Sequence, residues 1–314
     1  MQHKSKDLVS IIVSTYNRRN YLLDTVRSLL RLKLNNSFDI EIIIVDNGSN
    51  NDLYIFYKNY YKSCQKISVY KEIRNGISFA RNLGVKKSKG NYVAFIDDDA
   101  VADKCWLSTL YDCLVKNNAD VAGGIIKLAW DDYHGWIPFC FYYIYGYFYQ
   151  GDYIKELRGN INPNGSNIIF KKDIFVKYGM FDKSLGRNSV SLLSGEEQFI
   201  CDKIKKNGGK VYYTPFAIVY HNISKSRITK RYFLRRLYWE GITDAIKNKK
   251  IFKLTSILRF LKRIVFSFFV YPFTLLLSML LLNRKLFFYS VGYLIKNYGY
   301  FMGLTKNIIN EIKK

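Results

Sequence analysis

The sequence predicts an α/β protein: a mostly parallel sheet with helices on both faces, followed by a basic and apolar helical region that associates with a membrane. Three observations lead there. Apolar runs of strand length alternate with amphipathic helical runs from residue 8 to 126, which is the pattern of strands joined by crossover helices. Polar and acidic residues gather just after those apolar runs, where ligands sit in such sheets. After residue 225 the rhythm changes to long apolar stretches flanked by cations. The expected division is therefore 1–224 and 225–314, with 127–160 as an aromatic insertion or lid.

In chain order, LVSIIVST precedes the helical NYLLDTVRSLLRL, IEIIIVD precedes NDLYIFYKNYY, and ISVYKE precedes GISFARNLGVKKS. NYVAFIDDD, DKCWLSTLYDCLVKN and ADVAGGII complete the series. One rim should then carry Thr15-Tyr16-Asn17, Asp46-Asn47-Gly48-Ser49, Arg74-Asn75-Gly76 and Asp97-Asp98-Asp99. The rhythm breaks in GWIPFCFYYIYGYFYQGDY, the aromatic insertion. NGSNIIF and KVYYTPFAIVYH read as further strands, and SGEEQFICDKIKKNG between them as a helix over 195–206, started by Ser194 and stopped by Gly208-Gly209.

At 314 residues with 49% hydrophobic residues, the chain has ample material for a core. The five cysteines are odd in number and form no Cys-x-x-Cys pair, which argues against a disulfide framework or a zinc cluster and for a reducing compartment. The apolar run near the N-terminus is too short for a secretory signal before Ser14, Thr15 and Asn17 interrupt it. It reads as the first strand, with the α/β part in the cytoplasm.

The formal charge of +24 is unevenly placed: His221 to Lys314 holds 19 Lys or Arg against 3 acids. Because these cations flank apolar stretches, an anionic membrane surface fits them better than nucleic acid, and no nucleic-acid partner is expected. The uncharged run Ile264 to Leu282, broken only by Pro272, would extend about 28 Å as a helix. A single span would strand Arg284, Lys285, Lys296, Lys306, Lys313 and Lys314 on the far side, against the preference of cations for the cytoplasmic flank. A monotopic, re-entrant or hairpin attachment at the cytoplasmic face of the cell membrane is the expectation. A buried helix pair in a soluble domain is the competing one.

The acidic triplet has a plain reading as a solvated turn and a sharper one as a site for a divalent cation and a phosphate. Extended backbone puts Asp97 and Asp99 on one side, facing a metal, and Asp98 on the other, within reach of a sugar hydroxyl. In SGEE, Glu196 and Glu197 fall in a first helical turn, where carboxylates commonly complement the dipole. Only one of two adjacent helical residues can point into a cleft and serve instead as general base; Glu197 is the choice and Glu196 the fallback. His221, one of only 3 histidines, can complete a metal shell or be structural. Arg81, Arg18 and Arg19 are candidate nucleotide partners, and Gly165 either admits a ligand to the backbone or makes a turn.

Taken in order, VSTYNR, VDNGS, RNGISFARNLGVKKSKGNYVAFIDDD, NGSNIIFKKDIFVKYGMFD and GEEQFICDKIKKNGGKVYYTPFAIVYH resemble the inverting glycosyltransferases of family 2, which have the GT-A fold. The resemblance covers residues 8 to 245. It implies that Thr15, Tyr16 and Asn17 form a nucleotide-contacting turn, although Ser14 stands where proline is frequent. It further implies that Asp46 reads the base, that Arg81 lies near the nucleotide, and that Asp97, Asp98 and Gly165 belong to the nucleotide-sugar site. Asp99, Asp97 and His221 would hold Mn2+ or Mg2+, and Glu197, where many members have aspartate, would be the base.

The implied activity is a metal-dependent, inverting hexosyl transfer from a nucleotide-sugar, expected as a UDP-sugar, to a hydroxyl of a saccharide or lipid-linked saccharide in cell-surface glycan synthesis. A polyprenyl-phosphate sugar synthase is the alternative within the enzyme class. A non-catalytic membrane-surface binding protein with the same fold is the alternative outside it.

Overall fold

The computed structural model describes residues 6–130, 135–188, 190–249 and 254–312. Lys250, Lys253, Lys313, Lys314 and residues 131–134 of the aromatic insertion lie outside the described residues. The chain divides into two compact units. One comprises Met1–Ala129, Gly146–Ser189 and Gly195–Asn222; the other Trp130–Tyr145, Val190–Ser194 and Ile223–Lys314.

The first unit is built on β1 (Asp7–Thr15), α1 (Arg19–Leu30), β2 (Phe38–Asp46), α2 (Asn51–Tyr60), β3 (Ile67–Lys71), α3 (Ile77–Lys87) and β4 (Tyr92–Asp97). The three-residue β5 (Ala100–Ala102), then α4 (Trp106–Lys116), β6 (Val121–Trp130), β7 (Lys155–Glu156), β8 (Ile168–Lys171), α5 (Ile174–Lys177), α6 (Glu196–Lys206) and β9 (Val211–Ile223) follow. Among the described residues the sheet runs β3-β2-β1-β4-β8-β6-β9-β5, with β7 paired to β9. Its first four strands are parallel. β8 is antiparallel to both β4 and β6, and β5 is antiparallel to β9, so the sheet is mixed beyond β4.

Both faces of the parallel part are covered, which is why its strands read as unbroken apolar runs. Val9, Ile11, Val13, Ile42, Ile44, Ala94 and Ile96 point to one core with Leu22 and Leu29 of α1, Tyr57 of α2 and Leu110 of α4. Their alternates Ile12, Ile43, Val45, Val93 and Phe95 point to the other, with Ala80 and Val85 of α3, Ile174 of α5 and Ile200 and Ile204 of α6. The expected helices on both faces are present.

Gly195, with φ of 98°, rather than Ser194, caps α6. Ser194 is spoken for within the second unit: its amide donates to Thr243 Oγ1 at 3.4 Å and its hydroxyl to Glu240 Oε2 at 3.3 Å.

The second unit contains α7 (Lys230–Lys249), α8 (Leu254–Val265), a π-helical turn over Phe266–Val270, α9 (Tyr271–Leu280) and α10 (Arg284–Ile312). The aromatic insertion is not one block, because Phe139–Tyr145 forms a 3-10 helix in this unit whereas Gly146 onward belongs to the first. α7 and α10 touch backbone to backbone: a Cβ on Gly241 would lie 1.9 Å from the Lys296 carbonyl oxygen, and one on Gly299 would lie 2.0 Å from that of Tyr238. Arg236 Nη1 bonds Glu240 Oε2 at 2.9 Å, and Asp244 Oδ2 pairs with Arg263 at 2.7 Å and Lys296 at 3.2 Å.

Pro272 does not stop the apolar stretch: it sits in the first turn of α9, directly after the π-helical turn Phe266–Val270, and the helical path runs on through it. Phe260–Leu280 is a 21-residue helical path long and apolar enough to cross a membrane, and little of it is buried. Leu282, in the left-handed region at φ 49°, ends it, and α10 returns alongside α9 with Tyr271 and Tyr293 stacked at 5.1 Å.

Candidate active site

The register of the parallel strands aligns their carboxyl ends: Thr15 lies opposite Asp46, Asp46 opposite Lys71, and Ser14 opposite Asp97. Thr15, Asp46 and the acidic triplet therefore share one rim of the first unit.

At Tyr16 the chain turns outward, and Asn17 takes a left-handed conformation at φ 52°, which asparagine tolerates better than most residues. The Asn17 amide donates to Ser49 Oγ at 2.8 Å, and the Asn50 amide returns to Asn17 Oδ1 at 3.3 Å. Asp46 is fully buried. Its Oδ1 accepts from the Ser49 amide at 3.1 Å, while Oδ2 has no partner among the described residues. Burial, outweighing the hydrogen bonds from Ser49, raises its pKa above the ordinary 3.8. Oδ2 is thereby a buried acceptor at this rim with capacity for a further donor.

Asn47, to which sequence reasoning assigned no role, clamps the neighbouring loop. Its Nδ2 donates to the Arg74 carbonyl at 2.7 Å, and its Oδ1 accepts from the Gly76 amide at 3.0 Å. An asparagine at a strand end is the only sequence signal it leaves.

β4 ends at Asp97, and the two aspartates after it turn into the protein. Asp98, expected to face a sugar hydroxyl, instead accepts from Thr15 Oγ1 at 2.8 Å and from Arg18 Nη1 at 2.9 Å. Burial foremost pushes its carboxyl up to about 6, against Arg18 and with the help of Asp99 and Asp97. Arg18 also bonds Asp99 Oδ2 at 2.6 Å. Burial opposes the charge of Arg18, yet Asp98 and Asp99 hold its pKa above the ordinary value. As placed, Arg18 is a counter-ion to the triplet, a role its sequence position next to Asn17 did not reveal.

His221 reaches the triplet through strand pairing. β5 follows directly after Asp99 and pairs Ala100 with His221, which sets His221 Nε2 3.0 Å from Asp99 Oδ1. Gly146 makes room on the other side of the ring, where a Cβ would stand 3.1 Å from Nδ1. One ligand atom each from Asp97, Asp99 and His221 lies within 4.8 Å of the others. Two carboxylates and an imidazole so arranged suit a divalent ion.

The first turn of α6 brings both of its glutamates inward. Arg81 Nη1 lies 2.7 Å from Glu196 Oε1 and 3.9 Å from Glu197 Oε2, and its Nη2 lies 3.1 Å from Asp97 Oδ1. The expectation that only one of the two carboxylates faces inward is corrected by this arrangement, since an arginine long enough to reach across from α3 gathers both. Burial opposes the guanidinium charge, and Glu196, Asp97 and Glu197 more than offset it, so its pKa is raised. Arg81 thus sits among acids and not at an open surface. Gly165 lies over it: a Cβ there would come within 2.5 Å of Nη1. Gly165 clears space for Arg81.

Every candidate site residue named from the sequence thus lies in the first unit, most of them in two networks that meet where Asp97 approaches Asp99 and His221. Thr15, Asp98, Arg18, Asp99 and His221 are joined by hydrogen bonds or ion pairs, and so are Asp97, Arg81, Glu196 and Glu197, with Gly165 packed on Arg81. Asp46, Tyr16 and Asn17 stand further along the same rim, with Tyr16 46% exposed.

The model of glycosyl transferase family 2 matches residues 10–179. A glucosyl-dolichyl phosphate glucuronosyltransferase of Haloferax volcanii is 29% identical over 247 residues, which are 76% of this chain and 77% of the relative. An uncharacterized glycosyltransferase of Bacillus subtilis, EpsJ, is 34% identical over 125 residues, 40% of this chain and 36% of its own. Among solved structures, GalNAc-T7 with UDP, GalNAc and Mn2+ superimposes with a TM-score of 0.57 at 17% identity, covering 79% of this chain and 52% of that one. This chain therefore spans about half of that protein, and the likeness is one of fold: the mixed sheet flanked by helices is the GT-A architecture.

Proposed function

The chain belongs to glycosyl transferase family 2, and from that premise we propose that it moves a hexosyl group from a nucleotide-diphosphate sugar to a hydroxyl of a saccharide or lipid-linked saccharide, with inversion at the anomeric carbon. The observation that carries this reading is the convergence of Asp97, Asp99 and His221 within 4.8 Å, tied through Arg81 to both glutamates of α6.

In this reading the turn of Thr15, Tyr16 and Asn17 receives the nucleoside, and Asp46 Oδ2 accepts from its base. Asp99, Asp97 and His221 hold Mn2+ or Mg2+, which when bound supplies the positive charge that neutralises the leaving diphosphate. Glu197 takes the proton of the acceptor hydroxyl, whose oxygen bonds the anomeric carbon opposite the departing phosphate oxygen. Glu196, in the tighter contact with Arg81, serves to hold that arginine. Arg81 in turn holds Asp97 and the two glutamates close together.

The acceptor assignment draws on two observations. The relative from Haloferax volcanii is named for a lipid-linked glucose, glucosyl-dolichyl phosphate. The second unit also carries the exposed apolar path Phe260–Leu280. α10 is packed on α7, which leaves the α8–α9 path to meet lipid, and attachment at the cytoplasmic face by that path suits it. The role in cell-surface glycan synthesis follows from such an acceptor.

The test is a panel of nucleotide sugars assayed with Mn2+, Mg2+ or chelator against lipid-linked saccharides and polyprenyl phosphates, with the anomeric configuration of the product read by NMR. Metal-dependent transfer to a saccharide hydroxyl with inversion is expected. Retention of configuration, or transfer only to the lipid phosphate itself, would replace this reading.

A further inference from the structure

The second unit holds a groove that the reaction above does not use. Its volume is about 630 Å3, and its apolar wall is formed by Trp136, Met279, Leu282 and Phe288. The deep part is preformed: Trp136 lies 4.6 Å from Phe288 and 5.4 Å from Phe233, ring centre to ring centre. Two cations, Lys230 and Arg284, also line it, and among the described residues no carboxylate does. The Lys230 ammonium stands 5.7 Å from the Phe288 ring centre, and among the described residues neither cation forms an ion pair.

Other polar groups in the lining are already engaged. Asn283 Oδ1 caps α10 by accepting from the Leu286 amide at 3.0 Å, and Ser278 Oγ donates to the Leu275 carbonyl at 2.6 Å. What remains to recognise a ligand is two positive charges set against an aromatic and aliphatic wall. That wall continues outward. Met279 and Leu282, 58% and 89% exposed, end a row of exposed Phe269, Phe273 and Leu276 that runs along the π-helical turn and α9.

A small anion would leave the apolar wall wet, and a neutral hydrocarbon would leave the two cations without a partner. We propose that this groove binds the phosphate end of a single-chain lipid monophosphate of the polyisoprenoid class, with its hydrocarbon chain laid along the exposed face of α9. Two cations match the two negative charges of a terminal phosphate, whereas a phosphodiester headgroup brings one. The proposal goes beyond the transfer reaction by giving a lipid carrier its own site, and its readout is binding, so it stands or falls apart from the chemistry assigned to the first unit.

The test uses the full chain and vesicles of neutral phosphatidylcholine, plain or doped with a long-chain polyprenyl phosphate or with phosphatidylglycerol at matched charge. Polyprenyl phosphate should raise the vesicle-bound fraction, and K230Q/R284Q should lower that apparent affinity at least about tenfold while binding to plain vesicles persists. K262Q/K285Q, which removes two cations of the second unit outside the groove, should keep the gain, and melting curves should match for all variants. An undiminished gain in K230Q/R284Q would overturn the proposal. So would equal loss in K262Q/K285Q, or a gain with phosphatidylglycerol that is equally sensitive to K230Q/R284Q, since either result describes a general attraction to anionic surfaces.

Discussion

Arg81 and Glu196 form a buried ion pair, Nη1 to Oε1 at 2.7 Å, with each side chain only 5% exposed. Removing one partner of such a pair leaves an uncompensated charge in the interior, which costs about 3–5 kcal/mol. R81M should therefore destabilise the first unit by that order and abolish transfer. R81K, which keeps the charge and loses the fork that reaches Glu196 and Asp97 together, should retain more stability than activity. Thermal melting beside kcat checks this; equal activity for R81K and wild type would show that the fork is not needed.

Gly165 offers a second route to the same arginine. Its substitution by alanine puts a methyl group 2.5 Å from Arg81 Nη1, and the guanidinium has to move. G165A should lower kcat by at least about tenfold, as a misplaced active-site group does, and should leave nucleotide affinity nearly unchanged. Loss of nucleotide affinity with kcat intact would instead assign Gly165 to ligand contact, the other role its sequence position allows.

Asp46 supplies a pH dependence. Its folded pKa is raised by burial, so ionising it costs stability above both its folded and unfolded values, and that cost disappears below the unfolded one. As an acceptor it works only when ionised. UDP affinity should therefore decline on acidification at a higher pH than an ordinary carboxylate would give. D46N should remove that acidic limb and weaken UDP binding near neutral pH by about tenfold or more, the worth of a hydrogen bond to a charged group. Calorimetric titration across pH reads both; an acidic limb that survives in D46N would point to another group.

In the second unit, Gly241 and Gly299 set the spacing of α7 and α10. A Cβ at either position would penetrate backbone of the facing helix, so G241A and G299A should each destabilise the chain by about 1–3 kcal/mol, the usual cost of overpacking. Denaturant melts followed by helical circular dichroism measure it. Unchanged midpoints in both variants would mean that the helices separate without penalty.

The parallel half of the fold was legible because strands buried on both faces leave unbroken runs such as IEIIIVD, and the rim residues follow from where those runs stop. The cap of α6 was misread at Ser194, since serine is the better capping type by local preference, but its hydroxyl and amide are taken by Glu240 and Thr243, 46 and 49 residues away. The meeting of His221 with Asp99 depends on a three-residue strand, too short to leave a pattern. The position of Arg18 between Asp98 and Asp99, and of Arg81 among three acids, depends on side chains crossing between elements, which no local spacing encodes. The apolar path through Pro272 was legible in composition; the π-helical turn before it was not.

The most direct measurement is Mn2+-dependent UDP binding and sugar transfer, taken together, for wild type, D99A, H221A and E197Q, each confirmed folded by its melting curve. If Asp99 and His221 hold the ion and Glu197 is the base, D99A and H221A lose the metal-dependent part of UDP binding, whereas E197Q binds UDP and Mn2+ as wild type does and transfers at least about a hundredfold more slowly. Full transfer by E197Q, or unaltered metal-dependent binding in both D99A and H221A, would contradict the convergence of these groups on one cation and one sugar diphosphate.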